Sequence, residues 1–253
     1  MRRGLSDVTE PIVAADVPWL TAYLDRPLAR LVDHTLLKPG ATSTDYDRLC
    51  AEAVEFGFRA ICVHANRVQQ CLPGLEGSGV IVASVVDFPL GGGLTKERAR
   101  EAERAVTDGA RELDVVIALK RAHAGEWDAV MADLKSVVYA AGGVPVKAIL
   151  ESALLSHWEL IEACKAARSA GAAGVKTSTG FHSAGGATID AVRTMRETVG
   201  LHFGVKASGG IKTPVDALAM LKAGADRIGA SAAAGGKEVA THLRVLLEKG
   251  RRP

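Results

Sequence analysis

Eight short β-branched runs alternate with longer alanine-, leucine- and charge-rich segments along most of the 253-residue chain. Such alternation predicts repeated strand–helix units and a parallel sheet covered by helices. Eight units in about 250 residues match an α/β fold of the (β/α)8 TIM barrel type. The predicted strands cover residues 31–35, 59–64, 80–87, 112–118, 144–150, 174–177, 203–207 and 227–230.

The segments between these runs have helical composition, and many of them end in glycine. Thr213 and Pro214 are typical of a helix start, because threonine caps free N–H groups and proline fits the first turn. An open doubly wound sheet is the alternative, but no Gly-x-Gly-x-x-Gly follows the first strand. We expect an N-terminal helical extension over residues 1–30 and a single barrel domain over 31–253, rather than two small domains. The predicted helices cover residues 18–30, 45–56, 96–108, 127–141, 158–170, 189–199 and 214–223.

Two similar lysine-bearing segments lie in the predicted sixth and seventh strands. GVKTSTG at 174–180 and GVKASGG at 204–210 place Lys176 and Lys206 30 residues apart, about one strand–helix unit. A lysine within a buried strand is costly unless it is paired or used. Two neighbouring ammonium groups repel, which lowers the pKa of one and favours a free amine near neutral pH. We interpret the pair as nucleophilic amine chemistry that forms a Schiff base with a carbonyl carbon.

Charged residues recur on the preceding strands. Lys147 comes 29 residues before Lys176, and Asp114 lies in the predicted fourth strand. Active sites of such barrels lie at the C-terminal ends of the strands, so we expect these side chains and Lys206 to meet there in register. A single strand lysine can instead extend its charge to the rim of the sheet. Three lysines and an aspartate in register favour a catalytic group.

Small residues follow the last three predicted strands, where these barrels often bind phosphate. The turns at 208–210 and 229–231 can present backbone N–H groups to an anion. Glycines alone are equally typical of tight turns, so the prediction depends on their joint placement. The candidate phosphate-binding residues are Thr179, Gly180, Gly209, Gly210 and Ser231.

Composition and charge exclude several classes of partner. The 31 basic and 29 acidic residues leave a net charge of +2, and basic residues cluster only at the ends, so nucleic-acid binding is not predicted. No apolar run is long enough to span a membrane, and acidic residues interrupt any N-terminal signal peptide. Four cysteines without Cys-x-x-Cys spacing are typical of reduced thiols. We expect a cytoplasmic protein.

The histidines and cysteines do not predict a metal site. Seven histidines show no paired spacing with carboxylates of the kind that binds zinc. Cys62, on the second predicted strand, is interpreted as a buried structural thiol. We therefore predict neither a metal nor an organic cofactor.

Beyond these patterns, the sequence resembles the 2-deoxy-D-ribose-5-phosphate aldolases, a class I aldolase family, from about residue 33 to 231. The two lysine segments together are the most specific part of the resemblance. The motifs that carry it are DHTLLKP at 33–39, AICV at 60–63, DFPLG at 87–91, ELDVVI at 112–117, VKAILE at 146–151, VKTSTGF at 175–181, VKASGGI at 205–211 and RIGAS at 227–231.

The resemblance implies a barrel enzyme that reversibly cleaves 2-deoxy-D-ribose 5-phosphate to acetaldehyde and D-glyceraldehyde 3-phosphate, in deoxyribonucleotide catabolism. It makes Lys176 the Schiff-base lysine, Lys206 its tuning neighbour and Asp114 the carboxylate of the proton relay. It also implies small phosphosugar and aldehyde substrates, and a homo-oligomer, either a dimer or a tetramer. Further polar residues of the site are matched by Asp33, Thr35 and Lys147.

The sequence departs from the family pattern at three places. Ala118 stands where many members carry asparagine, and Ala232 follows Ser231 where a second serine is common. The chain ends in Arg251-Arg252-Pro253, whereas some members end in a tyrosine that assists proton transfer. We expect these departures to affect efficiency and substrate tolerance more than the type of reaction.

Two other functional classes stay open at this point. A phosphosugar isomerase on the same barrel would use a carboxylate or histidine base and would form no imine. A non-catalytic sugar-phosphate sensor would keep only the anion pocket. Borohydride in the presence of acetaldehyde would irreversibly label only an enzyme that forms an imine.

Overall fold

The computed structural model describes residues 28–232, which form a closed barrel of eight parallel strands in sequential order. The predicted barrel is confirmed, and each predicted strand agrees with an observed one to within two residues at either end. The helix predicted at 18–30 falls mostly outside the described residues, as does the C-terminal end of the chain. The strands are β1 Val32–Thr35, β2 Ala60–His64, β3 Ile81–Val86, β4 Glu112–Val116, β5 Val146–Ile149, β6 Gly174–Lys176, β7 Gly204–Ser208 and β8 Arg227–Ser231.

The described helices cover the outside of the barrel. Six of them match predicted helices, whereas α2, α4 and the 3-10 turns were not predicted because four or five residues show no helical period. Within residues 28–232, no helix is both long and apolar enough to cross a membrane. The helices are α1 Ser43–Phe56, α2 Val68–Cys71, α3 Thr95–Thr107, α4 Leu119–His123, α5 Trp127–Ala140, α6 His157–Ser169, α7 Ile189–Val199 and α8 Pro214–Ala223, with 3-10 turns at Leu28–Leu31, Ala65–Arg67, Pro73–Leu75 and Ser152–Leu154.

Side-chain caps fix the starts of several helices. The Thr213 hydroxyl accepts a hydrogen bond from the Asp216 N–H, and the Asp216 carboxylate accepts one from the Thr213 N–H. Pro214 occupies the first turn of α8, as the sequence predicts. Such reciprocal caps satisfy N–H groups that lack helical partners. They also hold the β7–α8 connection, which lies at the C-terminal end of β7.

The core has two layers, because alternate residues of each strand face opposite sides of the sheet. The larger apolar layer lies between strands and helices and includes Leu113, Val175 and Val205, all fully buried. A smaller cluster of apolar side chains lies apart from it. Charged side chains from other strands are buried with the smaller cluster inside the barrel.

Candidate active site

Strand register determines how the predicted lysines meet. Lys176 and Lys206 are direct partners on β6 and β7, and Asp114 is the partner of Lys147 on β4 and β5. Lys147 is also paired with Gly174, two residues before Lys176. The expectation that all four residues end their strands is therefore wrong in detail. Lys176 is the last residue of β6, whereas the other three lie within their strands and below the barrel mouth.

Asp114 brings the three predicted lysines together. Its Oδ1 accepts a hydrogen bond from Lys147 Nζ at 3.2 Å. Its Oδ2 accepts from Lys176 Nζ at 3.0 Å and from Lys206 Nζ at 2.8 Å. Burial raises the pKa of this carboxyl group, but the three ammonium groups lower it more, so it stays well below its usual value. Asp114 is therefore an ionised carboxylate inside the barrel.

Asp33 holds the far side of Lys206. Its Oδ2 accepts from Lys206 Nζ at 2.5 Å, and its Oδ1 accepts from Arg227 Nη1 at 2.8 Å. Burial raises the pKa of Asp33, but Lys206 and Arg227 bring it below its usual value. Burial lowers the pKa of Lys206, but Asp114 and Asp33 raise it well above its usual value. Lys206 is therefore a permanent cation at neutral pH.

Glu112 was not predicted as a site residue, yet it completes this set of charges. It accepts from Lys147 at 2.6 Å and lies 3.5 Å from Arg227 and 3.2 Å from Arg59. Glu112 comes two residues before Asp114, so the two-residue period of a strand would have placed it on the same face. The ion-pair ring thus runs through Glu112, Lys147, Asp114, Lys206, Asp33 and Arg227, back to Glu112.

Cations outnumber carboxylates in this interior. Four buried basic side chains, the three of the ring together with Lys176, contact three carboxylates, and Arg59, whose side chain is 36% exposed, contacts Glu112 from the edge. The two signs balance when Lys176 is neutral, since Lys147, Lys206 and Arg227 then face the three carboxylates. Because like charges repel strongly where little water is present, the interior opposes an additional ammonium.

A pocket of about 310 Å³ opens above Lys176. All predicted phosphate-binding residues and Thr35 line it. Lys176 is the one strand lysine among the lining residues. The other predicted site residues lie beneath the pocket: Lys147, Lys206, Asp33 and Asp114. The lining residues are Thr35, Leu37, Lys38, Lys176, Thr179, Gly180, Phe181, Ser208, Gly209, Gly210, Ile211, Lys212, Gly229 and Ser231.

Two loops shape the polar end of the pocket. Gly180, Gly209 and Gly210 all have positive φ, between 78° and 83°, which favours glycine. A Cβ on Gly186 would lie 2.2 Å from the carbonyl oxygen of Gly209, so the loops after β6 and β7 approach each other closely. Buried Glu151 accepts hydrogen bonds from the N–H and hydroxyl of the neighbouring Thr179. These contacts fix the turn that borders the pocket.

Lys38 and Lys212 are pocket residues that were not predicted. Both are exposed and line the pocket with the glycine turns. Lys38 lies within the DHTLLKP motif and Lys212 directly follows SGGI, so their positions after β1 and β7 were the available signal. Among the described lining residues there is no carboxylate and no histidine. The pocket is therefore a basic one, with lysine at its base and at its rim.

His34 and the cysteines lie outside the ion-pair ring. His34 is buried against Glu52, with Nε2 2.7 Å from the carboxylate, and burial lowers the pKa of its imidazole. Burial raises the pKa of the Cys62 thiol, and all four cysteines are free and buried, as the spacing indicated. Within residues 28–232, no three histidine, cysteine or acidic side chains are grouped as metal ligands.

Two of the departures from the family pattern are described. Ala118 is the N-cap residue of α4 and offers no side-chain cap. Ala232 donates its N–H to the Thr35 carbonyl at 2.9 Å, so the backbone at this position is engaged while its side chain adds no polar group.

A closed (β/α)8 barrel with buried lysines under a basic pocket is the architecture of a barrel enzyme. Comparisons identify its family: residues 28–242 match the description "DeoC/LacD family aldolase". A Mycobacterium bovis protein described as a deoxyribose-phosphate aldolase is 50% identical over 208 residues, which cover 81% of this chain and 92% of the relative. The chain belongs to the DeoC/LacD family of aldolases.

Solved structures agree with this assignment. A Coccidioides immitis structure has a TM-score of 0.81 and 38% identity, covering 86% of each chain. The deoxyribose phosphate aldolase from Aeropyrum pernix, whose structure is described as a unique tetramer, has a TM-score of 0.80 and 34% identity. It covers 93% of this chain and all of its own.

Proposed function

We propose that this aldolase reversibly cleaves 2-deoxy-D-ribose 5-phosphate to acetaldehyde and D-glyceraldehyde 3-phosphate through a Schiff base on Lys176. The observation that carries the proposal is the position of this lysine, which is buried, ends β6 and lines the pocket. The names of curated relatives support the substrate. We also propose that the protein acts in the cytoplasm in deoxyribonucleotide breakdown.

The charge of the interior supports an amine nucleophile. Lys176 and Lys206 both contact Asp114 Oδ2, which puts their Nζ atoms within about 6 Å of each other. The cation on Lys206 disfavours a second ammonium nearby, and it shares the Asp114 oxygen that would otherwise stabilise an ammonium on Lys176. A neutral Lys176 amine attacks the substrate carbonyl carbon, and loss of water leaves a protonated imine.

The protonated imine then carries the carbon–carbon cleavage. The hydroxyl group beside the breaking bond loses its proton, the electron pair of that bond moves into the imine, and an enamine of acetaldehyde remains while the aldehyde fragment leaves. Protonation of the enamine and hydrolysis of the resulting imine then release acetaldehyde and restore the Lys176 amine. Asp114 is positioned to move the protons, because its carboxylate contacts both Lys176 and Lys206. Asp33 and Lys147 hold Lys206 and Asp114 in place, and Thr35 faces the substrate from the pocket wall.

The phosphate is assigned to the polar end of the pocket. Gly180, Gly209, Gly210 and Ser231 border this end, and exposed backbone N–H groups of such turns bind anions. Lys212 and Lys38 supply the positive charge. The absence of a carboxylate or histidine among the described lining residues argues against an isomerase with such a base.

Borohydride trapping tests the nucleophile. Wild-type protein treated with acetaldehyde and borohydride should gain one covalent adduct, and peptide mapping should place it on Lys176. Lys176→Arg should be neither labelled nor active, because arginine presents no neutral amine. Exposed Lys165 provides the matched control, and Lys165→Arg should behave as wild type. An adduct on Lys147 or Lys206 would refute the assignment, and an unlabelled but active wild type would refute the Schiff base.

The tuning role of Lys206 has a separate test. Lys206→Leu removes the neighbouring cation, so imine trapping should need a more alkaline pH. Lys206→Arg keeps the charge and should keep the wild-type pH profile, with slower proton transfer. If Lys206→Leu leaves the profile unchanged, Lys206 positions substrate or water instead.

We also propose a homo-oligomer, dimeric or tetrameric. The tetramer described for the Aeropyrum pernix relative supports it. Light scattering after size-exclusion chromatography should give two or four times the 26.4 kDa chain mass, and a mass of one chain would overturn this part.

A further inference from the structure

We propose that Glu112 and Arg227, at the bottom of the barrel, are positioning residues that set the pH range in which Lys176 reacts. Asp114 contacts Lys176, and Glu112 is linked to Asp114 through Lys147, whereas Arg227 is linked to it through Asp33 and Lys206. Neither Glu112 nor Arg227 lines the pocket. The inference rests on the proposed Schiff base at Lys176. It assigns to that reaction two further residues, which are the first residues of β4 and β8.

Closure of the ion-pair ring is the structural basis. Arg227 Nη1 lies 2.8 Å from Asp33 Oδ1 and 3.5 Å from Glu112 Oε2. Glu112 Oε2 in turn lies 2.6 Å from Lys147 Nζ. Asp114 contacts Lys147 on one side, and on the other side it contacts Lys206, which contacts Asp33. The ion pair between Glu112 and Arg227 connects these two sides and closes the ring. Without this junction, Asp33 and Lys147 would each lose a partner of opposite charge.

Each of the two residues orients one charged group of the ring: Arg227 orients the Asp33 carboxylate, and Glu112 orients the Lys147 ammonium. Arg227 occupies Asp33 Oδ1, which leaves Oδ2 for Lys206. Glu112 holds the Lys147 ammonium where it can also reach Asp114 Oδ1. Asp114 Oδ2 is then free to accept from Lys176 and Lys206 together. The bottom of the barrel therefore orients the carboxylate that contacts the nucleophile.

The pair also sets the charge felt by Lys176. Every strand but β3 contributes a charged or titratable group to this interior among the described residues. Burial of these groups keeps their interactions strong over more than one ion pair. Removing Arg227 deletes a cation and should favour the ammonium form of Lys176, whereas removing Glu112 deletes an anion and should favour the amine. The buried groups are Asp33, Cys62, Glu112, Asp114, Lys147, Lys206 and Arg227, and the partly exposed Arg59 adds a cation beside Glu112.

Opposite shifts in one pH profile test the proposal. The measurement is the pH at which borohydride trapping of acetaldehyde on Lys176 reaches half its maximum. Arg227→Met should move this midpoint to higher pH and Glu112→Gln to lower pH, each by about 0.5–1 unit. Arg227→Lys keeps the charge and should stay near the wild-type midpoint. The double variant should lie between the two single variants.

An exposed pair with the same separation provides the control. Arg121 and Glu126 also lie 3.5 Å apart, and about half of each side chain is exposed. Arg121→Met and Glu126→Gln make the same charge changes in solvent and should leave the midpoint unchanged. Circular dichroism and thermal melting would establish that each variant is folded.

The outcomes separate this inference from the proposed function. Trapping on Lys176 in wild type, with unshifted midpoints in folded Glu112→Gln and Arg227→Met, would overturn the positioning role and leave the Schiff base intact. Shifts of the same sign in both variants would also overturn it, since a general structural disturbance gives them. If Arg227→Met does not fold, Glu112→Gln decides alone: an acidic shift supports the inference and an unshifted midpoint rejects it. Lack of trapping in wild type would overturn the proposed function itself.

Discussion

The two sides of the barrel interior are built from different chemistry. On β2 and β3, small apolar side chains face inward and pack with Leu37 and Phe88. On β1 and β4 to β8, the interior carries the ion-pair ring and Lys176. Charge cannot be buried without partners, and here each carboxylate contacts at least two cations. The apolar members are Ala60, Cys62, Ala83 and Val85.

The difference indicates that the apolar side strengthens the ionic interactions of the charged side. An apolar wall excludes water, and ionic interactions are stronger where water is excluded. Cys62 illustrates the contact between the sides: its thiol is fully buried, and its pKa is affected by both Lys206 and Asp114. We therefore expect changes on the charged side to alter catalysis and changes on the apolar side to alter stability.

The strongest test of this division compares two register partners. Asp114 on β4 and Val85 on β3 are paired across the two sides. Asp114→Asn should lower kcat by about 10²–10⁴-fold, because it removes the carboxylate that we propose transfers the protons. Val85→Ala should lower the free energy of unfolding by about 2 kcal/mol and leave kcat nearly unchanged. Steady-state kinetics and urea unfolding of both variants give the comparison, and a large fall of kcat in Val85→Ala would break it.

Acid should weaken the charged side selectively. The pKa values of Asp33, Asp114 and Glu112 in the folded protein lie below their usual values, because neighbouring cations outweigh burial. A carboxyl group with a lowered folded pKa stabilises the fold above its unfolded pKa and loses that contribution as pH falls toward the folded value. We expect the free energy of unfolding to fall below about pH 4, by about 1.4 kcal/mol per pKa unit of each shift.

The matched variants are Asp33→Asn and Asp190→Asn. Asp33 is fully buried in the ring, whereas the side chain of Asp190 is 93% exposed. Urea unfolding between pH 3 and 7 should depend less on pH in Asp33→Asn than in wild type, and Asp190→Asn should follow wild type. Equal pH dependence in all three proteins would show that the ring does not control acid stability.

Much of this organisation could be predicted from the sequence, because strand period and strand–helix spacing are local properties. These two patterns predicted β1 to β8 and the meeting of Lys176, Lys206 and Asp114 inside the barrel. The vertical position of Lys147 was not predictable, since the stagger between β5 and β6 depends on closure of the whole barrel.

Residues that act through contacts distant in sequence were missed. Glu112 and Arg227 are 115 residues apart in the chain, and only barrel closure brings their side chains within 3.5 Å. Lys38 and Lys212 are exposed lysines that share a pocket only because β1 and β7 both flank β8. The spacing from Asp114 could have placed Glu112 inside the barrel, but no spacing in the sequence pairs Glu112 with Arg227 or Lys38 with Lys212.

A smaller effect is expected at the pocket rim. Lys212→Met removes a cation beside the glycine turns and should raise the KM for 2-deoxy-D-ribose 5-phosphate about 10-fold, the value of one charged contact. Gly210→Glu and Ser231→Glu add negative charge there and should raise it further. Cleavage of unphosphorylated 2-deoxyribose should change little in all three, and Lys165→Met controls for lost surface charge. Equal weakening of both substrates would mean that the loops shape the pocket rather than bind the phosphate.

The smallest expected effect is that of a strong chelator. A divalent cation bound to the charged side would need carboxylate oxygens, but Asp33, Asp114 and Glu112 are each engaged by lysine or arginine. In the proposed mechanism the protonated imine supplies the electron sink for which a metal-dependent aldolase uses its ion. Prolonged dialysis against EDTA should therefore leave kcat and KM unchanged, with a known zinc enzyme treated in parallel to show that chelation was effective. Loss of activity that Zn²⁺ or Mg²⁺ restores would assign the chemistry to a metal and would make the lysine-rich side a binding surface rather than the reacting one.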